Sequence, residues 1–583
     1  MFRMVLMLSA VLVGAAPVAA ASPAAPLLKL LESGRVPTER LPAFVEMICQ
    51  RGDASDLAFI YQQTVDPEGY TGDARLTALR ALAEAATTRD VRPAGDLSGL
   101  GQFLKPTGDA IDPPTQLAAI QLAGAWKTDA LLAPLKELAL NETADQKVRR
   151  AAIGALVGIG GEASQQALDE LTAAERPFDV RALAVSGLAQ SNLDAAAQKA
   201  AKMLTEADER EDLGLLLSGF LDLQGGPERL GAAIAANKPS KDLAKLALRY
   251  LYASGRTDPP LIGPLSDAAG ISASGAPPTP EQVASLAADV AAKGNAARGE
   301  IVFRRTDLSC IKCHSVSKAG GEIGPDLSPV GANSPVDYLV RSVLNPSQDI
   351  KEAYLTTIIL TEDGKQYQGI VVDRDERRVE LKDANGETLT VPTADIDEEL
   401  EGRSLMPSGL TNFMTRSELV DLVAFLSQLG KPGAYAIRST ETIQRWRVLK
   451  EVSSELASAA PSAELIRSQV LEIPEAAWEP AYAKVAGQLP LEELRGKILY
   501  LKGEVDVTEP GVVGVQINSM LGATVWIDDQ PQSGKDQFEL ELPRGRHAVI
   551  LRIDNSERDG KALQVELSRP EGSMAQFEAV GGK

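Results

Sequence analysis

The feature that most constrains the fold is a segment that the chain repeats in its first half. Residues 148–156 and 180–188 share Val, Arg, Ala, a β-branched apolar residue and Leu at equivalent positions. Weaker copies begin near Arg75, Leu117 and Leu243. The apolar residues recur at helical spacing, and a single helix pair cannot bury such a stripe alone. The pattern therefore predicts helix pairs stacked into a solenoid.

Small residues, mostly Ala, stand where neighbouring helices of such a stack would touch. This pattern resembles HEAT-type repeats, and the resemblance covers residues 71–258. An irregular helical bundle is the alternative. Residues 22–70 are predicted to be a further helical segment, and the Pro, Gly and Ser residues of 259–280 predict a linker. Thr279 and Pro280 then predict the start of a new helix.

The first 21 residues have the pattern of a secretory signal peptide. Arg3 is the only charge, residues 4–15 are apolar but too few to span a bilayer, and small residues occupy 18–21. A retained N-terminal anchor is the alternative. Since no later stretch is apolar enough to span a membrane, we expect a protein of the periplasm or another exported compartment.

The formal net charge of −21 argues against nucleic-acid binding, because so acidic a surface repels phosphates. The chain has three cysteines, too few for a disulfide framework. Cys49 lies among apolar residues and is predicted to be a buried core residue.

The other two cysteines form the motif Cys310-Ile311-Lys312-Cys313-His314. Two thiols at this spacing can form thioethers with the two vinyl groups of one haem, and the following histidine then becomes an axial ligand of the iron. A thioredoxin-like dithiol would need a βαβ pattern, which is missing here. A zinc site would need more partners than Cys49 and His547. The motif therefore predicts one covalent c-type haem, held by Cys310, Cys313 and His314.

The flanking segments resemble class I c-type cytochromes. They are Gly294 to Phe303, Gly324-Pro325-Asp326-Leu327, Ser404 to Leu410 and Ser417 to Leu426. The resemblance implies an N-terminal and a C-terminal helix that cross near Gly299. It also implies that the Pro325 carbonyl accepts a hydrogen bond from His314, that Leu327 packs on the haem, and that Met406 is the sixth ligand of the iron. Met414 and a five-coordinate iron are the alternatives at that position, and His547 belongs to a different domain.

A long segment separates Leu327 from Met406. A helix is predicted at 337–344, and short strands at 355–360, 366–372, 379–381 and 388–391 predict a small β insertion at about 353–395. This order, with Tyr338, Asn345-Pro346 and Gly369, resembles the planctomycete-type haem-binding CxxCH family. We therefore predict a cytochrome c-like haem domain at 281–430.

Residues 431–495 are predicted to be a helical connector, with helices at 443–456 and 462–471. From 496 to 583 the apolar residues alternate with period two, which predicts a β-sandwich. This sandwich resembles PA14 and carbohydrate-binding domains. Trp526 is a candidate for stacking on a sugar, although a core position is the better interpretation, and Asp528, Asp529 and His547 are interpreted as turn and strand residues.

The predicted fold class is multidomain and mainly α with β: a HEAT-like solenoid, a haem domain with a β insertion, and a β-sandwich. The leading hypothesis is an exported c-type cytochrome that transfers single electrons and is a carrier rather than a catalyst. Its partner would be a redox protein, either a dehydrogenase or another cytochrome, and a polysaccharide is a further candidate. A haem-dependent oxidoreductase or peroxidase, a subunit of a dehydrogenase complex, and a scaffold with a structural haem are the alternatives.

Overall fold

The computed structural model describes residues 22–104, 111–141, 143–271, 277–458, 461–532, 534–558 and 561–582. The predicted signal peptide, residues 1–21, lies outside these ranges. The chain divides into two units, with the boundary between Ile271 and Ser272, and each is considered by itself below. Within the described ranges, no helix is both long and apolar enough to cross a membrane.

The first unit is helical. Its helices are α1 (Ala25–Glu32), α2 (Leu41–Arg51), α3 (Ala54–Val65), α4 (Gly72–Arg89), α5 (Pro113–Trp126), α6 (Leu132–Leu140), α7 (Gln146–Ile159), α8 (Gly161–Leu171), α9 (Phe178–Leu188), α10 (Leu193–Glu206), α11 (Leu213–Leu221), α12 (Gly226–Ala236), α13 (Lys241–Ala253) and α14 (Pro259–Ala269).

The two copies of the sequence repeat are α7 and α9, and the predicted stack of helices is confirmed. Consecutive helices of the stack, α5, α7, α9 and α11, touch through small residues. A Cβ atom on Gly124 would lie 3.0 Å from the Cα atom of Ala155, and one on Gly219 would overlap Ser186. Glycine and alanine at these positions allow the helix axes to approach closely, as the repeat pattern predicted.

The linker predicted at 259–280 is wrong in its first half. Residues 259–269 form α14, whose Leu261 and Leu265 are fully buried. Proline is well tolerated in the first turn of a helix because the amide hydrogens there have no partner within the helix, so Pro259 and Pro260 begin α14. Residues 272–276 lie outside the described ranges. The predicted helix start at Thr279 is confirmed, since its hydroxyl caps the next helix.

The second unit combines helices and antiparallel strands. Its helices are α15 (Pro280–Lys293), α16 (Ala296–Arg304), α17 (Cys310–Cys313), α18 (Val330–Asn333), α19 (Val336–Leu344), α20 (Arg416–Gln428), α21 (Ala463–Ile466) and α22 (Asn555–Arg558). Its strands are β1 (Ser315–Val316), β2 (Ala319–Gly320), β3 (Thr356–Thr361), β4 (Gln366–Arg374), β5 (Arg378–Lys382), β6 (Thr388–Pro392), β7 (Ile396–Glu401), β8 (Glu441–Thr442), β9 (Arg445–Leu449), β10 (Trp478–Tyr482), β11 (Ile498–Glu509), β12 (Gly511–Ile517), β13 (Ala523–Ile527), β14 (Gln530–Pro531), β15 (Gln537–Leu542), β16 (Gly545–Asp554), β17 (Val565–Ser568) and β18 (Gln576–Ala579).

Helices α16 and α20 cross in direct contact. A Cβ atom on Gly299 would overlap the carbonyl oxygen of Asp421, so only glycine permits this approach. The rings of Phe303 and Phe425 lie 5.6 Å apart at the crossing. The buried carboxylate of Asp421 accepts hydrogen bonds from the Arg298 side chain at 2.6 and 3.0 Å, which ties the two helices together. The crossing near Gly299 that the sequence predicted is therefore present.

The insertion between α19 and α20 is a five-stranded antiparallel sheet in the order β6-β5-β4-β3-β7. Four of its strands coincide with predicted ones. The fifth, Ile396–Glu401, is an edge strand with five exposed positions, and its sequence lacks apolar alternation. It extends the insertion beyond residue 395, the limit that the sequence predicted.

The C-terminal β-rich region consists of two antiparallel sheets that share one apolar core. The larger sheet has the order β10-β9-β11-β16-β13-β14, with β18 also paired to β11, and the smaller has the order β15-β12-β17-β8. Val505 and Leu551 of the larger sheet and Val515 of the smaller one belong to the same buried cluster. Strands are present where the period-two pattern after residue 496 predicted them.

The helical connector predicted at 431–495 is wrong in its main element. Residues 445–449, predicted within a helix at 443–456, form β9, which pairs with β10 and β11. Trp446 and Val448 face the core with period two, and partners far along the chain favour a strand over the local helical pattern. The helix predicted at 462–471 is confirmed by α21 and the helical turn Arg467–Leu471.

Trp526 is a core residue, and this confirms the interpretation that the sequence favoured over stacking on a sugar. It is 2% exposed and stacks on Tyr500. His547 is a buried strand residue whose ring nitrogens lie 2.9 Å from an Asp528 carboxylate oxygen and 2.9 Å from the Pro543 carbonyl oxygen. Burial lowers the pKa of His547, but the two hydrogen bonds outweigh burial and raise it above its ordinary value.

We expect Gly299→Ala to lower the stability of the second unit by about 3 kcal/mol, because the added methyl group forces α16 away from α20. Calorimetric unfolding measures this loss. Gly154→Ala is the control, since nothing lies within 4 Å of a Cβ atom at that exposed helical position. It should stabilise the first unit by about 0.5–1 kcal/mol. Equal, small effects of both variants would contradict the crossing.

The raised pKa of His547 makes the stability of the β-rich region depend on pH. Its contribution is complete below the ordinary pKa of about 6.5 and is lost as pH rises through the raised value, because a neutral ring cannot donate to both acceptors. Denaturant unfolding between pH 6 and 9 should show this loss in the native chain and not in His547→Gln. Identical pH profiles of the two chains would contradict it.

Candidate functional site

The two thiols of the CxxCH motif lie on one short helical turn, α17. Ser309 precedes this turn with φ +57°, and His314 ends it in an extended conformation. The His314 amide donates to the Cys310 carbonyl oxygen at 3.0 Å. Residues three apart on a helical turn face the same side, so Cys310 and Cys313 flank one surface. No disulfide joins them.

The His314 ring is oriented by the segment that follows it. Its Nδ1 atom lies 3.0 Å from the carbonyl oxygen of Pro325, which can only accept a hydrogen bond. Burial lowers the pKa of His314, and the Pro325 bond opposes that shift. In the neutral ring Nδ1 carries the hydrogen, so Nε2 keeps a lone pair for a ligand. A Cβ atom on Gly324 would lie 2.6 Å from the His314 ring, so any larger residue at this position would clash with the imidazole.

The strands β1 and β2 form a tight hairpin directly after His314. Ser317 and Lys318 make its turn with positive φ angles of 53° and 69°. The C-terminal segment fixes this hairpin, because the Gly582 amide donates to the Lys318 carbonyl oxygen at 3.0 Å. Lys318 also pairs with Glu441 at 3.0 Å. The β-rich region therefore contacts the hairpin that directly follows the motif.

A cavity of about 730 Å³ opens above the thiols. It brings together all six site residues that the sequence predicted: Cys310, Cys313, His314, Pro325, Leu327 and Met406. This volume falls within the ordinary range for cofactor sites. The remaining lining is mostly apolar and comes from the helices α16, α18, α19 and α20, from the segments that connect them and from the β insertion.

Met406 and Met414, the two methionines that are candidate ligands, both line this cavity, but they differ in exposure and in the structure around them. Met406 is partly exposed and lies in the irregular segment between β7 and α20. Met414 is 2% exposed and belongs to the apolar core around α20. The structure thus places one candidate thioether on a loop and the other in packed core.

Sequence reasoning missed the part of the lining that the β insertion supplies. Ile370 of β4, with Ala384 and Asn385 of the turn after β5, borders the cavity. The strands on either side of this turn were predicted, but nothing in the local sequence indicates that the turn contacts this cavity. The Lys382 ammonium donates to the Glu322 carbonyl oxygen at 3.2 Å and holds this turn near the motif.

The donor atoms of the cavity include two thiols, one imidazole and two thioethers, beside the carboxylates of Asp326 and Asp349. Within the described ranges, no three His, Cys, Asp or Glu side chains come together to hold a bare metal ion. Burial raises the pKa of the Cys310 thiol to about 11, so the thiol is protonated at neutral pH. Cys49, in the other unit, is 1% exposed and its thiol pKa is raised to about 12, as expected of a core residue.

Comparison with known proteins identifies one region. The family of HEAT repeats matches residues 102–189, which include α5 to α9. The chain therefore contains a HEAT-repeat region followed by a β-rich region with antiparallel sheets. No curated protein matches the chain.

The raised pKa of Cys310 predicts slow alkylation in the chain prepared without a cofactor. With Cys49→Ala and Cys313→Ala in place, the iodoacetamide rate at pH 7.5 should be about 100-fold below that of free cysteine and should rise up to pH 11. A rate that levels off near pH 9 would show that this thiol is not buried as described.

Proposed function

We propose that this chain is an exported c-type cytochrome that carries one covalent haem in the cavity above α17 and transfers single electrons. The observation that carries this proposal is the convergence of Cys310, Cys313, His314 and Met406 on one cavity. Met406 is separated from the other three by the entire β insertion, so their meeting is a property of the fold rather than of one local motif.

The thiols suit covalent attachment. Each would form one thioether with a vinyl group of a haem held here, with the thiol hydrogen passing to the neighbouring carbon. No oxidant is needed for this addition. Because Cys310 and Cys313 flank the same surface, one planar group can meet both, while a disulfide between them would block the attachment.

His314 supplies the proximal ligand through Nε2. The Pro325 carbonyl holds the hydrogen on Nδ1 and orients the ring, a partnership that raises the basicity of a ligating histidine. Leu327 adds apolar surface beside it. When bound here, a c-type haem supplies one-electron oxidation and reduction at its iron.

Met406 is the proposed sixth ligand. Its loop position allows the thioether to reach the cavity, whereas Met414 is fixed within the core cluster. A thioether and an imidazole would together hold the iron of such a haem, and methionine as a ligand would favour the ferrous state and raise the reduction potential. The apolar lining works in the same direction, because it disfavours the extra positive charge of the ferric state.

The other parts of the chain suit docking. The HEAT-repeat region offers an extended helical surface, and the β-rich region contacts the hairpin that follows the motif. The acidic net charge favours a basic redox partner, such as a dehydrogenase or another cytochrome. Export to the periplasm or an equivalent compartment accords with the apolar N-terminal segment, and polysaccharide is a further candidate ligand for the β-rich region.

Met406→Ala should abolish the low-spin absorption spectrum and the methionine–iron charge-transfer band, while the pyridine haemochrome of the denatured protein stays that of a c-type haem. Met414→Ala is the matched control, because it removes the other cavity methionine. It should keep the low-spin spectrum. The reverse pattern would transfer the ligand role to Met414, and a native chain without haem would contradict the proposed function.

A further inference from the structure

The segment that carries Met406 is anchored to the β insertion at one place. We call residues 402–409 the Met406 loop. Thr356, the first residue of β3, is 2% exposed, and its hydroxyl donates to the Arg403 carbonyl oxygen at 2.7 Å. The Thr356 carbonyl oxygen accepts the Gly402 amide at 2.8 Å. One threonine thus holds the first two residues of the loop with both its backbone and its side chain.

Neighbouring groups complete this anchor. The Gln368 amide nitrogen lies 3.3 Å from the Arg403 carbonyl oxygen and 3.4 Å from the Thr356 hydroxyl. A Cβ atom on Gly402 would overlap that hydroxyl, so the contact requires glycine. The Arg403 carbonyl therefore receives two donors from the sheet.

The anchor is connected to Met406 by a short series of hydrogen bonds. The Ser404 amide donates to the Ser347 hydroxyl at 3.3 Å, and the Met406 amide donates to the Ser404 hydroxyl at 3.2 Å. Ile370, which pairs with Thr356 in the sheet, also lines the cavity. The same part of the sheet thus lines the cavity and holds the loop.

We propose that the β insertion fixes the Met406 loop for iron ligation and that Thr356 is the positioning residue. This inference rests on the proposed function. A neutral thioether binds iron through a single atom, so its occupancy depends on how well its loop is fixed beforehand. Loss of the Thr356 hydroxyl leaves the Arg403 carbonyl with the Gln368 amide as its remaining donor from the sheet and lets the loop leave the cavity more often.

The test uses the full-length exported protein with its haem. Thr356→Val keeps the shape of the side chain and removes the hydroxyl. Imidazole competes with the thioether for iron, and its apparent affinity should rise about tenfold as the fraction of methionine-ligated protein falls. The methionine–iron band should weaken in proportion, and Thr356→Ser should restore both values.

Thr361→Val is the matched control. Thr361 ends the same strand, is 7% exposed, and donates to Asp363 at 2.6 Å and to the Lys365 carbonyl oxygen at 3.1 Å in the turn at the opposite end. It should lower stability to a similar degree and leave imidazole affinity unchanged. Equal imidazole effects of both variants would overturn the inference, because the effect would then reflect general destabilisation.

Gln368→Met is the substitute variant for the imidazole measurement if Thr356→Val does not fold. It should raise the apparent imidazole affinity by a smaller factor. A native chain with the methionine–iron band but no response to these variants would overturn the inference and leave the proposed function intact. A native chain that lacks haem or the band would instead overturn the ligation on which both depend.

Discussion

The close crossing of α16 and α20 at Gly299 is the contact on which the candidate site depends. It joins the segment just before the thiols to the segment just after Met406, although the whole β insertion lies between them in sequence. The Arg298–Asp421 ion pair and the Phe303–Phe425 contact maintain this crossing. The cavity can form because this crossing holds its two sides at a fixed separation.

Two further elements stabilise the site from outside the crossing. The β insertion borders the cavity with Ile370 and holds the Met406 loop, while the C-terminal segment fixes the hairpin after His314. The buried carboxylate of Glu300 on α16 also accepts the Val485 amide at 2.7 Å. The β-rich region is thus packed against α16 and the hairpin after His314, so changes in that region can reach the cavity.

Local patterns predicted the features that local residues determine. The repeat spacing predicted the stacked helices, and the resemblance to class I c-type cytochromes implied the crossing near Gly299. The motif resemblance implied the contact between His314 and Pro325, which the structure contains. Features set by distant partners could not be predicted: β7 is a charged edge strand defined by its pairing with β3, and β9 is a strand because β10 and β11 flank it. The role of the Thr356 hydroxyl likewise could not be predicted, because its acceptor, the Arg403 carbonyl oxygen, is distant in sequence.

Acid–acetone extraction of the purified protein distinguishes covalent attachment of haem at Cys310 and Cys313 from a dissociable pigment. We expect the red pigment to stay with the precipitated polypeptide, and mass spectrometry of the digested protein to find haem on the peptide containing residues 310–314. Pigment that passes into the solvent, or a protein that never contains any, would contradict it.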